Sequence, residues 1–348
     1  MEANQPGAGA FKFQAAREQA ETVASIGFSG AGAGPSRPKR TRPKGLLGIG
    51  WACVESAVSG RSEHRPTSAD YAETVVRRVS FVAGGDLGWR ISALATPRAN
   101  PAPWKIVVIT GAPSWAEYWA PVMAALPGGR EMIVVDRPGY GLSQPVDCVP
   151  DIAVQARALA PLLTAAAGQK ILLVGQSYGA AIAVLMAAAN PRAVTSVALL
   201  SSYLGESGPT ARWLVDAGSR LKGLIPRDLR AAVTEVSGQA AQLPQVHKAL
   251  AGLQAPVHVI HGDADDFAPI DLARRLADET KARHPIRFQA VAGAGHFVND
   301  GPCEAMIANL EACLPPRATR SGRKIGTWVA GLAGRLKPLA ANDEGVAA

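Results

Sequence analysis

Hydrophobic positions along the chain follow two rhythms. Short apolar runs of strand length, rich in Val and Ile, occur at 106–109, 132–135, 171–174 and 257–261, and 287–291 reads as a last strand. Runs of four to six such residues bounded by Gly and Pro predict buried β-strands. An Ala-rich stretch with helical character follows the third run. Between 201 and 254 the strand rhythm breaks. Segments 210–224, 227–237 and 239–253 are helical in composition, and Pro209, Pro226, Pro244 and Pro256 punctuate them.

The junction after the third apolar run carries the most chemistry. It reads Gly175, Gln176, Ser177, Tyr178, Gly179, a serine between two glycines where a strand meets a helix. This G-x-S-x-G spacing suits a nucleophile, because the turn is too tight for side chains two residues to either side of the serine. The serine is pushed into a strained, exposed position, and the following helix aims its N-terminal amides at the site. A hydroxyl also needs a general base, and the base needs an orienting group. Downstream, the loop after residue 261 holds Asp263, Asp265 and Asp266, and the loop after residue 291 holds His296. The order Ser, Asp, His, each just after a strand, is that of one known triad arrangement.

On these motifs residues 71–316 resemble the serine-nucleophile branch of the α/β-hydrolase fold family over their whole length. The strand ending at Thr110 and Gly111 resembles the family's oxyanion-loop strand. Residues 132–143 resemble its next strand and turn. The elbow, the Gly262 to Pro269 loop and the Gly293 to His296 segment complete the set. The resemblance implies a three-layer α/β fold, with a mostly parallel central sheet and helices on both faces. It implies a core from 71–200 and 255–316, with a small helical cap at 201–254.

It also implies roles. Ser177 is the candidate nucleophile, His296 the candidate base and Asp265 the acid, since Asp265 falls where the family's acid sits. Asp263 is expected to brace the loop, and Asp266 to face solvent or cap the next helix. The oxyanion hole is expected from the backbone amides of Ala112 and Tyr178. Many members carry His-Gly where this chain has Thr110 and Gly111, which removes a side chain that usually braces that loop. Asp136 reads as turn bracing. His261 reads as structural and His258 as core, and His64, His247 and His284 read as surface residues.

Composition narrows the partners. The chain has 36 Lys and Arg against 28 Asp and Glu, a net charge of +8. Residues 71–316 hold 21 cations and 20 anions, so the excess lies in the two ends. A nearly neutral core argues against nucleic acid as the partner. Residues 1–45 are rich in Gly, Ala, Pro and Ser and hold a basic cluster at 37–44; such a composition packs no core, and residues 1–70 are expected to form a disordered basic extension. The segment 45–53 superficially resembles a signal sequence, but it lies deep in the chain and lacks an A-x-A site. Residues 317–348 are basic, and apolar residues at helical spacing over 320–339 suggest peripheral contact with an anionic membrane. The four cysteines lack C-x-x-C spacing and read as reduced thiols, which suits a cytoplasmic location. No sequence pattern calls for a metal or a cofactor.

The expected activity is therefore ester or thioester hydrolysis of a small molecule with an apolar part. Trp115, Trp119, Trp213, Leu214 and Phe297 are the expected pocket residues. Leu221, Leu224 and Ile225 either join them or hold the cap on the core. A C–C bond hydrolase or a cofactor-free haloperoxidase-like enzyme is the alternative, and a membrane-associated accessory protein on a hydrolase fold is the reading of another class.

Overall fold

A computed structural model describes residues 76–315 other than 97, 282 and 283. The expectations for the basic ends, His64 and Cys53 lie outside the described residues. The strands are β1 (Arg77–Val82), β2 (Arg90–Ala95), β3 (Trp104–Ile109), β4 (Arg130–Val135), β5 (Lys170–Gln176), β6 (Val194–Leu200), β7 (Val257–Gly262) and β8 (Arg287–Val291). They form one eight-stranded sheet in the order β1-β2-β4-β3-β5-β6-β7-β8. β2 runs antiparallel to both its neighbours, and all other pairs are parallel.

Strand chemistry explains this order. β5 and β7 are buried along nearly their whole length, as inner strands of a parallel sheet covered on both faces are. The edge strands β1 and β8 have only exposed and half-buried positions. Each central strand feeds both faces of the sheet. Val107, Ile109, Ile171 and Leu173 join one apolar cluster, and Ile106, Val108, Leu172 and Val174 join the other. That is the period-2 alternation of a pleated strand.

Among the described residues the α-helices are α1 (Ala120–Ala124), α2 (Ile152–Leu159), α3 (Gly179–Ala189), α4 (Pro209–Arg220), α5 (Arg227–Gly238), α6 (Leu243–Ala251), α7 (Ile270–Glu279) and α8 (Cys303–Ala312). α2, α3 and α6 pack in the first cluster, and α1 and α8 in the second. α3 is buried from Gly179 to Ala187 and has no polar face, which is what a helix enclosed on all sides needs.

The 201–254 segment, expected as one cap, divides in two. α4 and α5 cover the site. α6 instead buries Leu243, Val246 and Leu250 in the core beside α3. Those residues sit three and four positions apart, one stripe of a helix. His247, expected at the surface, is half-buried, with its Nε2 2.7 Å from the Leu204 carbonyl oxygen.

Candidate active site

Ser177 stands between the end of β5 and the start of α3 at φ +52°. Its amide donates to the Leu200 carbonyl at 2.9 Å, and its carbonyl accepts from the Tyr203 amide at 3.2 Å. Neighbouring glycines make room for this turn. A Cβ on Gly179 would lie 2.3 Å from the Ile109 carbonyl oxygen, and one on Gly175 would lie 2.6 Å from the Ala180 Cα. A Cβ on Gly111 would meet the Ser177 Cβ at 2.9 Å. The sterics anticipated for the pentapeptide are those the fold imposes.

Ser177, His296 and Asp265 come together. The Ser177 Oγ lies 2.8 Å from His296 Nε2, and His296 Nδ1 lies 2.8 Å from Asp265 Oδ2. A carboxylate only accepts, so Nδ1 carries the proton and Nε2 is left to accept from the serine hydroxyl. The other carboxylate oxygen, Oδ1, accepts from the Phe267 and Ala268 amides, each at 2.9 Å. Burial alone would raise the Asp265 carboxyl. Hydrogen bonds from His261 and His296, the charge of His296 and the Ala268 amide outweigh it and hold it well below the usual carboxylate range. Phe267 stacks on the His296 ring at 4.9 Å, and Phe297 meets the ring edge-on at 5.3 Å.

The flanking aspartates take other work. Asp263 accepts from the Gly293 amide at 2.7 Å and ties the acid loop to the histidine loop. Asp266 accepts from Thr210 on α4 at 2.5 Å and ties the same loop to the cap. His261 is fully buried, with Nε2 2.6 Å from the Ala268 carbonyl oxygen and 3.1 Å from Asp265 Oδ2, so it braces the acid from below.

The amides of Ala112 and Tyr178 find no acceptor among the described residues; Tyr178 follows the serine, and Ala112 lines the same cavity as Ser177. The loop that carries Ala112 is braced by Thr110, Ser114 and Arg137. Thr110 Oγ1 bonds with the Ser114 hydroxyl and donates to the Val135 carbonyl at 3.1 Å. Arg137 holds the Thr110 and Gly111 carbonyls at 2.9 and 2.8 Å. Its remaining donors go to Gln155 and, in a two-pronged pair, to Glu235 on α5. Sequence reasoning missed Arg137, Gln155 and Glu235. Glu235 lies 98 residues from Arg137, and no spacing rule connects them. Asp136, read as turn bracing, is buried with its carboxylate on Arg78 and on the Ala116 amide. Burial raises its carboxyl even so.

The serine opens on a cavity of about 310 Å³ beneath α4 and α5. Trp115, Trp213, Leu214 and Phe297 line it, as do Leu221 and Ile225. Trp119 does not, which corrects the expectation for that residue. It is fully buried under the site, and its Nε1 donates to Gln176 at 2.9 Å. An indole only donates, so Gln176 turns its oxygen to Trp119 and its amide nitrogen to the Asn299 oxygen, 2.6 Å away. Leu224 neither lines the cavity nor holds the cap, being 83% exposed. Trp115 also donates to Asp228 on α5 at 2.7 Å. Among the described residues no cluster of His, Cys, Asp or Glu forms a metal-ligand set, and no helix is long and apolar enough to cross a membrane.

A family model described as the alpha/beta hydrolase family matches residues 106–309, more than half of the chain. The chain belongs to the α/β-hydrolase family. A curated protein, the 2-hydroxy-6-oxononadienedioate/2-hydroxy-6-oxononatrienedioate hydrolase 2 of Pseudomonas putida, is 26% identical. The match covers 48% of this chain and 71% of that protein. Among solved structures, 2-hydroxy-6-oxo-6-phenylhexa-2,4-dienoate hydrolase of Rhodococcus sp. superposes with a TM-score of 0.54 at 18% identity, over 68% of this chain and 98% of that one. A thermophilic esterase from Thermogutta terrifontis superposes with a TM-score of 0.51 at 20% identity, over 68% of this chain and 96% of that one. At these identities the structural likeness speaks for the α/β-hydrolase fold alone.

Proposed function

We propose that the protein is a serine hydrolase that cleaves a carboxylic ester or thioester of a partly apolar small molecule. The observation that carries this reading is the unbroken chain from Ser177 Oγ through both His296 nitrogens to Asp265, opening on an apolar cavity. In this reading Ser177 attacks the substrate carbonyl while His296 Nε2 takes the hydroxyl proton. The oxyanion rests on the Ala112 and Tyr178 amides. His296 returns the proton to the leaving alkoxide or thiolate, and the acyl group stays on Ser177. Water, deprotonated by His296, then releases the acid and restores the serine. Asp265 keeps the imidazole in the tautomer that can accept, and stabilises the imidazolium between steps.

A C–C hydrolase is the second reading, favoured by the Pseudomonas relative. The name of that relative's substrate describes a dicarboxylate. Here no Lys or Arg lines the cavity among the described residues. A buried carboxylate without a cation is costly, so an uncharged acyl group suits this cavity better. Its volume of about 310 Å³ and apolar lining also favour medium-chain or aromatic acyl groups over acetate, because each buried methylene contributes about 0.8 kcal/mol.

A fluorophosphonate probe followed by mass spectrometry tests the nucleophile, with the adduct expected on Ser177. A panel of p-nitrophenyl esters from acetate to decanoate, with a 2-hydroxy-6-oxo-dienoate alongside, tests the substrate class. An adduct on another serine removes this reading. Turnover of the dienoate without turnover of any ester replaces it with the second.

A further inference from the structure

Six large apolar side chains stand exposed among the described residues, and three of them lie between residues 213 and 224. Trp213 is 67%, Leu221 49% and Leu224 83% exposed. Trp213 and Leu221 also line the cavity, so the cavity opens where this apolar patch lies. Trp213 and Arg220 are seven residues apart on α4, two turns along nearly the same side of the helix. Over 209–224 the cations Arg212, Arg220 and Lys222 are all exposed, against the single carboxylate of Asp216. A cavity mouth made of Trp and Leu and edged with Lys and Arg has the composition of an interfacial helix. In such a helix the apolar side chains enter the acyl boundary, and the cations reach the headgroups.

We propose that the 213–224 edge of the cap docks on an anionic lipid surface, and that substrate passes from the lipid into the cavity through this mouth. The proposal rests on the esterase reading for its substrate, an acyl ester that partitions into lipid. Charge complementarity names the occupant: the cations meet anionic headgroups, while Leu224 and Trp213 sit below them. A molecule apolar enough for the cavity spends little time free in water, so docking at its source shortens the path to Ser177.

The experiment uses the full chain with vesicles of phosphatidylglycerol and phosphatidylcholine, and with phosphatidylcholine alone. The wild type is expected to co-sediment with the anionic vesicles and much less with the neutral ones. The double variant Leu224→Asp with Lys222→Glu changes neither a cavity residue nor the basic chain ends. It is expected to bind anionic vesicles at least about tenfold more weakly. Hydrolysis of a long-chain ester held in those vesicles should fall in step. Its hydrolysis of soluble p-nitrophenyl butyrate and its melting temperature should match the wild type. Wild-type binding by the double variant would assign docking to another part of the chain and overturn the proposal. A wild type that ignores anionic vesicles overturns it as well. A lowered melting temperature for the variant also counts against it, because Leu224 would then be packed and not free to enter lipid. Each of these results leaves the labelling of Ser177, and with it the esterase reading, separately decided.

Discussion

Arg137 and Glu235 form a two-pronged ion pair, 2.7 and 2.8 Å, with neither side chain exposed to solvent. All five guanidinium N–H groups are used: two on Glu235, one on Gln155, and two on the carbonyls of Thr110 and Gly111. Glu235 in turn accepts from Tyr140 and Gln155. The guanidinium also lies 4.9 Å from the rings of both Tyr140 and Tyr178. Desolvation works against the Arg137 cation, but the Glu235 carboxylate more than offsets it and raises the guanidinium above its ordinary value. Cap helix α5 is thereby fastened to the loop that carries the Ala112 amide, and Asp228 on Trp115 fastens it a second time.

Removing one partner leaves a buried charge alone. Glu235→Gln should destabilise the fold by about 3–5 kcal/mol and lower kcat more than it raises KM, read by thermal melts and steady-state kinetics. The double change Arg137→Met with Glu235→Leu should recover only part of the stability: no charge is left unpaired, but Tyr140, Gln155 and the two carbonyls lose their partners. Its kcat should stay low, because nothing then holds the Thr110 and Gly111 carbonyls. Full recovery of kcat in the double variant would mean the pair fastens the cap and does nothing for the loop.

Three neighbouring aspartates have distinct partners, so their amide variants should separate. Asp265→Asn should lower kcat by about 10⁴-fold, as the imidazole loses the acceptor that sets its tautomer. Asp263→Asn and Asp266→Asn should lower it far less, since their bonds go to the Gly293 amide and the Thr210 hydroxyl. A greater loss in Asp263→Asn at unchanged melting temperature would reassign the acid.

Trp119 supports the site from beneath. Trp119→Phe keeps most of the apolar volume but leaves Gln176 Oε1 buried without its donor. That should cost about 1–3 kcal/mol in stability while the preference among ester chain lengths stays as in the wild type. A shifted chain-length preference would return Trp119 to the pocket wall.

His258 on β7 gives the fold a pH dependence of known sign. Burial first, and Arg287 beside it, lower its folded-state pKa below the ordinary 6.5. The unfolded chain therefore binds the proton more readily, and the stability that neutral His258 contributes is complete above pH 6.5. It is lost as the pH falls from there toward the folded value. The melting temperature of His258→Leu, measured relative to wild type, should rise between pH 8 and pH 5.5. A difference that stays constant across that range would show that His258 titrates alike in both states.

Much of the site is legible in one dimension because its constraints are local. The strain at Ser177 demands glycines two residues away, and a strand ending in a tight turn is written in consecutive residues. β3, β4 and β5 declare themselves by unbroken apolar runs, since both faces of these strands are covered. β1, β2 and β6 lack such a plain signal. β1 is an exposed edge with charged residues at its start, and β6 opens with Thr195 and Ser196 among its apolar residues. The choice among Asp263, Asp265 and Asp266 required the resemblance as well as the spacing.

What tertiary structure alone decides is which distant groups meet and which way a side chain faces. The tie from Arg137 to Glu235 joins a turn after β4 to a helix of the cap, and neither segment's pattern encodes the other. Trp115 and Trp119 look alike in sequence, four residues apart. One packs against the cavity and the other lies buried on Gln176, because the short helical turns between them rotate the chain. The stripe of α6 reads equally well as cap or core until α3 is seen beside it. Sequence thus determines the chemistry each loop can offer, through steric and hydrophobic rules that act within a few residues. Charge pairing and side-chain direction depend on neighbours that only the folded sheet brings together.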